Sequence, residues 1–301
     1  MYKEVAKLIL YRDLGEDSIL RKLSGIFKDY ENGVGSKAEL TTRIYEQMKA
    51  LLDLATMYGF DENLWHNYLT FILLTNENSF SMTSEKVGAN DGSVNHFAKG
   101  DFRVFKNLFD FDFSLIEKDL GIDCFSTICH YKAIGKKERM YNKNVSEKVQ
   151  AVSRRIEEAR DEEEIFEIIT DFYKAYGVGM FGLNKAFRIR SLADGVEFLP
   201  INNTEQVVLD DLVGYEIQKK KLVDNTEAFV QGLPANNVLL FGDSGTGKST
   251  SIKAILNEYY DQGLRMIEIY KHQFQDLSAV ISRIKNRNYR LINYMDDLSF
   301  E

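Results

Sequence analysis

Eight residues, Gly242-Asp243-Ser244-Gly245-Thr246-Gly247-Lys248-Ser249, set three glycines, a lysine and a hydroxyl at the G-x-x-x-x-G-K-[ST] spacing of a phosphate-binding loop. A nucleoside triphosphate is a dense anion, and a loop whose successive backbone N–H groups converge can hold it without any side chain. Glycines at 242, 245 and 247 permit the positive or crowded backbone angles that such a nest requires. Lys248 would reach the β- and γ-phosphates, and Ser249 would ligate a bridging Mg²⁺. A helix starting near Gly247, with Thr250 in its first turn, would add its dipole and N–H groups to the same anion. ATP or GTP with Mg²⁺ is the expected ligand; the residues alone do not separate the two nucleotides.

Such a loop needs a strand before it and a helix after it. Asn237-Val238-Leu239-Leu240-Phe241 reads as a short buried strand entering the loop, and Ser249 to Tyr260 reads as the helix leaving it. Ile252, Ile255, Leu256 and Tyr259 form that helix's apolar stripe, and Gly263 is its stop. Leu264 to Tyr270 predicts a strand, Gln273 to Asn286 an amphipathic helix, and Tyr289 to Met295 a strand ending in Asp296-Asp297. That ending resembles a Walker B strand. Asp296 would hold Mg²⁺ through water, and Asp297 would orient the attacking water, although many P-loop ATPases carry the longer glutamate there.

Upstream, Leu209-Asp210-Asp211-Leu212-Val213-Gly214-Tyr215-Glu216 precedes a helix over about Ile217 to Phe229. Lys219-Lys220-Lys221 on that helix reads as a solvated face. Gly177-Val178-Gly179-Met180-Phe181-Gly182 matches the dinucleotide signature G-x-G-x-x-G, but it follows a helix instead of a strand and reads as a helix-ending linker into Ala186 to Arg190. Arg188 and Arg190 in that linker read as solvated. Cys124 and Cys129, with His130 adjacent, have a metal-like spacing but no second cysteine pair to complete a zinc site, and read as reduced cysteines in a helical core.

The remaining chain sets the frame. With 301 residues and 44% hydrophobic content the protein can build a real core, and a net charge of −8 argues against general affinity for nucleic acid or anionic membrane. Lys136-Lys137-Glu138-Arg139 and Arg154-Arg155 are the early basic clusters, and both adjoin acids. The most apolar run, Tyr68 to Leu74, is far shorter than the roughly 18 residues of a bilayer span. Met1 to Val5 carries an early acid, unlike a secretion signal, so a cytoplasmic location is the default expectation. Ala38 to Tyr58, Ser146 to Arg160 and Glu162 to Tyr176 have helical periodicity, while Asn76 to Gly100 reads as loop from its Asn, Ser and Gly content. The domains expected are a mainly helical region over 1–203, suited to a partner, and a nucleotide-binding domain over 204–301.

Val208 to Glu301, with Leu199-Pro200-Ile201, resembles the bacterial ATP-binding family known as domain of unknown function 815. The resemblance is carried by Leu212-Val213-Gly214-Tyr215-Glu216, Asn225-Thr226-Glu227, Asn236-Asn237-Val238-Leu239-Leu240, the glycine-rich loop, Leu256-Asn257-Glu258-Tyr259, Gly263-Leu264-Arg265 and Asp296-Asp297-Leu298-Ser299-Phe300-Glu301. That family looks like a branch of the AAA+ ATPases. The resemblance implies an α/β P-loop fold with a parallel sheet, nucleotide binding and an adenine pocket lined by Val213, Gly214 and Tyr215, and it assigns no biological task. It also implies a fourth strand, a sensor, an arginine and a helical lid after Asp297, so the sheet is expected to be incomplete and the chain a fragment. The first expectation is an ATPase that, when intact, hydrolyses ATP in a homo-oligomer while its helical N-terminal half recognises an unknown protein partner. In an AAA+ sheet the strand 237–241 would lose its ladder partners; in a kinase-type P-loop fold it would pair with 291–295 instead. A nucleotide-gated binding module with slow turnover is the second expectation. A small-molecule phosphotransferase lacks a visible acceptor site.

Overall fold

The structure, a computed structural model, describes residues 1–134, 141–202 and 206–296. The chain divides into two compact units, Met1–Lys174 and Ala175–Glu301.

The first unit is helical. Its elements are α1 (Tyr2–Val5), α2 (Ile19–Glu31), α3 (Lys37–Tyr58), α4 (Leu64–Thr75), α5 (Ser79–Val87), α6 (Val94–Phe109), α7 (Ser114–Leu120), α8 (Cys124–Cys129), α9 (Lys143–Glu158) and α10 (Glu162–Tyr176), whose last residues enter the second unit. Local chemistry sets the longest of them. Ser36 and Glu39 close a capping box at the start of α3, and Gly59, with φ of 69°, ends it in the left-handed conformation. The expectation of a loop over Asn76 to Gly100 is corrected here. The side chain of Asn78 accepts hydrogen bonds from the N–H groups of Phe80 and Ser81, so the polar residues serve as a cap and α5 follows. Ala98, Phe102 and Phe105 then give α6 a buried stripe.

The core of this unit is aromatic, with Tyr11, Trp65, Phe80, Phe102, Phe105, Phe125 and Tyr173 essentially inaccessible. Several of its polar atoms find partners across long stretches of sequence. Trp65 Nε1 donates to the Leu108 carbonyl at 2.8 Å, the hydroxyls of Tyr11 and Tyr173 meet at 2.7 Å, and the Asp101 carboxylate accepts three backbone N–H groups, from Ile9, Leu10 and Tyr11.

The second unit is α/β. A four-stranded mixed sheet has the order β2-β1-β3-β4, built from β1 (Ala186–Leu192), β2 (Gly195–Pro200), β3 (Leu264–Glu268) and β4 (Arg290–Tyr294). β1 and β2 form an antiparallel hairpin, β1 pairs parallel with β3 through Ala186↔Met266, and β3 pairs parallel with β4 from Leu264↔Arg290 to Glu268↔Tyr294. The helices are α11 (Gly179–Leu183), α12 (Glu216–Val230), α13 (Lys248–Tyr259) and α14 (Leu277–Ile284), with 3₁₀ turns at 209–211, 260–262 and 271–276. One sheet face packs Ala186, Leu264 and Met266 against Leu222 of α12 and Ala254, Ile255 and Leu256 of α13. The other packs Phe187, Ile189 and Ile267 against Phe181 of α11 and Val280 of α14. This is a three-layer arrangement with helices on both faces.

Three expectations change. The linker through Ala186 to Arg190 is the first strand of the hairpin, where Arg188 bonds Glu268 at 2.6 Å and Arg190 pairs with Glu197 at 3.1 Å. The sheet is mixed, not parallel throughout. The segment 237–241 is not a strand: Val238, Leu239 and Phe241 are 48%, 62% and 87% exposed, and no strand among the described residues pairs with it, neither β4 nor another. An extended segment gains its ladder bonds only from a neighbour, so without one its N–H and C=O groups face water.

A buried arginine ties the G-x-G-x-x-G stretch to the sheet. Arg265 on β3 is inaccessible, and its guanidinium is held by backbone carbonyls. Nε donates to the Phe181 carbonyl at 2.9 Å, Nη1 to those of Tyr260 and Leu264 at 2.9 and 2.8 Å, and Nη2 to that of Tyr176 at 3.0 Å. The guanidinium also lies 4.0 Å from the Tyr260 ring centroid. Gly177, with φ of 87°, sits under the Tyr289 ring, where a Cβ would come within 1.9 Å of the hydroxyl. The glycine there serves a close backbone approach.

Candidate functional site

The glycine-rich loop and α13 form one local unit. Gly247 adopts φ of 82° as the residue before α13, and that helix start carries no side-chain cap, so its first-turn N–H groups face the loop. Gly242 and Gly245 also have positive φ, at 143° and 81°. Thr246 Oγ1 donates to the Asp243 carbonyl at 2.8 Å and closes the turn. The Lys248 ammonium folds back over the loop, donating to the carbonyls of Gly242 at 3.0 Å and Asp243 at 2.8 Å. Asp243, Ser244 and Gly245 are exposed at the tip, while Thr246 to Thr250 are half-buried. The loop thus offers three positive-φ glycines, an ammonium and an uncapped helix start within a span of eight residues, a set of donors suited to an anion.

Strand alternation supplies the second component. Along β4, Ile292 and Tyr294 pack toward the α12 and α13 side, whereas Leu291 and Met295 pack toward the α14 side. A period of two carries Asp296 to the α13 side as well. Its carboxylate oxygens lie 3.2 and 3.4 Å from the Ser249 hydroxyl, across 47 residues of sequence. A serine hydroxyl and a carboxylate brought together at an uncapped helix start are hard oxygen donors, the kind that hold Mg²⁺ together with phosphate oxygens and water.

Tyr294 completes this corner. Its hydroxyl oxygen is shut off from solvent and makes no hydrogen bond of normal geometry among the described residues, although it lies beside Ser249 and Asp296. Burial, with the Asp296 carboxylate beside it, pushes the phenol up to about 12.

The lead-in segment approaches the loop from α12. A Cβ on Gly247 would come within 2.8 Å of Leu212 Cδ2, so Leu212 lies directly against the loop's last glycine. Val213 is 93% and Tyr215 55% exposed, and both Gly214 and Tyr215 have positive φ, at 86° and 58°. Tyr215 is one of two non-glycine residues with positive φ among those described, which marks local backbone strain at the start of α12. Lys219, read from sequence as part of a solvated face, donates to the Leu212 carbonyl at 2.9 Å and holds the segment in place. Asp297, expected to orient water, lies outside the described residues.

Sequence reasoning missed Lys219 and Tyr294 at this site. For Tyr294 a signal existed: it stands two residues before Asp296 on a strand, hence on the same face. For Lys219 none did, because only the fold brings its ammonium to the Leu212 carbonyl.

Residues 183–301 match the family described as "Protein of unknown function (DUF815)". The match begins at the end of α11 and takes in the β1–β2 hairpin, upstream of the point where the motifs themselves begin. No curated protein and no solved structure matches the chain. No helix among the described residues is long and apolar enough to cross a membrane.

Proposed function

We propose that the second unit is an AAA+-like P-loop module that binds ATP with Mg²⁺ and couples binding and hydrolysis to action on a macromolecular partner. The observation that carries this reading is the meeting of Ser249 with Asp296 at the uncapped start of α13, directly after a loop of the phosphate-binding pattern. That contact, between the hydroxyl of the pattern and an acid from a distant strand end, supports this reading over a glycine-rich turn alone.

In this reading the loop N–H groups and the first turn of α13 receive the β- and γ-phosphates, and Lys248 leaves the Gly242 and Asp243 carbonyls to bond phosphate oxygens. Ser249 and Asp296 would hold the metal, which supplies charge neutralisation between the phosphates. Val213, Gly214 and Tyr215, exposed beside the loop, form the surface for the base. Asp297 is proposed to orient the attacking water. A nucleotide-gated binding module with little turnover is the second reading, favoured by the open setting of the segment 237–241 that enters the loop.

Calorimetric titration with Mg-ATP tests this. Wild-type protein is expected to bind, and Lys248→Ala to bind at least about tenfold more weakly, the loss of one charge-assisted phosphate contact. Equal affinity in the two proteins, or no binding by either, would overturn the proposal. Phosphate release measured on the same samples separates ATPase from binding module.

A further inference from the structure

The Tyr294 hydroxyl is shut off from solvent and makes no hydrogen bond of normal geometry among the described residues. An inaccessible O–H that lacks a partner costs roughly 1–3 kcal/mol, and a phenylalanine would fill the same space without that cost. The ring itself is accounted for by packing on the α13 side with Ile292. The oxygen lies beside Ser249 and Asp296, the two groups that fit a hard cation.

A cation of the Mg²⁺ type keeps several waters when it binds to one carboxylate, one hydroxyl and phosphate oxygens. Those waters need acceptors or donors from the surrounding protein, and such outer partners are worth about 10–100-fold in metal affinity. The alternation of β4 places Tyr294 on the same face as Asp296, one strand period earlier, and a phenol hydroxyl can both donate and accept.

We propose that Tyr294 is a positioning residue for the hydrated divalent cation held by Ser249 and Asp296, its hydroxyl bonding a water of the cation's shell. This rests on the nucleotide reading above and adds a residue to it. Nothing in the G-x-x-x-x-G-K-[ST] pattern or the terminal acid pair assigns it.

The test uses the full chain and Tyr294→Phe, which deletes one oxygen. Mn²⁺ is titrated by electron paramagnetic resonance in the presence of a non-hydrolysable ATP analogue, analogue affinity is measured separately with EDTA, and thermal unfolding is followed without ligand. Tyr294→Phe is expected to hold Mn²⁺ about tenfold more weakly. Its metal-free analogue affinity should be unchanged and its melting temperature equal to or above wild type. Unchanged Mn²⁺ affinity overturns the inference. So does a parallel fall in melting temperature and metal-free affinity, which would show that the hydroxyl supports the fold. Wild-type protein that binds the analogue without retaining Mn²⁺ also overturns it, leaving nucleotide binding in place. Wild type that binds neither overturns the nucleotide reading itself.

Discussion

Lys248 shows how much of a site is decided by one side chain and the backbone around it. Its ammonium already rests on two carbonyls of the loop, so the proposed phosphate binding would exchange neutral acceptors for charged ones with no rebuilding of the loop. The cysteines give the opposite lesson. Cys124 and Cys129 bracket α8 as free thiols, and burial, reinforced by the nearby Glu117 carboxylate, pushes both up to about 11. Because the thiolate is the reactive species, raising the value from 9 leaves roughly a hundredth of the ordinary thiolate at pH 8, and alkylation should be slower by about that factor. Iodoacetamide labelling of native and urea-unfolded protein at pH 8 checks this; equal rates would refute the burial argument. A spacing that invites metal chemistry on paper thus sits among groups that disfavour the charged ligand form.

The elements were legible to different degrees. α13 was readable from its apolar stripe and its glycine stop because both are local, and β3 and β4 from their apolar runs. The hairpin β1–β2 was hidden because Arg188, Arg190 and Glu197 make its outer face look like a solvated linker; cross-strand and adjacent-strand ion pairs settle them there. α5 was hidden by the cap residues that begin it. Arg265 was the least legible feature. A charged residue inside an apolar strand reads as an exposed position, whereas here four carbonyls from three separate stretches surround it. Arg265→Met should therefore destabilise the second unit by about 3 kcal/mol, because the carbonyls lose their donor in an inaccessible site. Arg265→Lys should rescue only part of this, as an ammonium cannot reproduce the planar fork. Urea unfolding followed by circular dichroism measures both, and a loss below about 1 kcal/mol for Arg265→Met would show that the network is dispensable.

At the scale of the molecule, two separate cores of opposite character share one chain, an aromatic helical one and a sheet covered on both faces. The weak point is the segment 237–241, which carries Val238, Leu239 and Phe241 into water without ladder partners among the described residues. Exposed apolar backbone of this kind associates with copies of itself. The double variant Leu239→Lys, Phe241→Ser should lower concentration-dependent light scattering and leave the helical circular dichroism unchanged; unaltered scattering would mean that the segment is protected in solution. By itself the sequence determined the loop, the helix that follows it, the acid at the end of β4 and the helical character of the first unit, because each depends on spacing within a few residues. Only the tertiary structure decided that Asp296 reaches Ser249, that Tyr294 shares their corner, that Leu212 lies on Gly247, and that the stretch entering the loop pairs with no strand among the described residues. Those outcomes depend on which elements lie side by side, and a strand becomes a strand only when a neighbour accepts its hydrogen bonds.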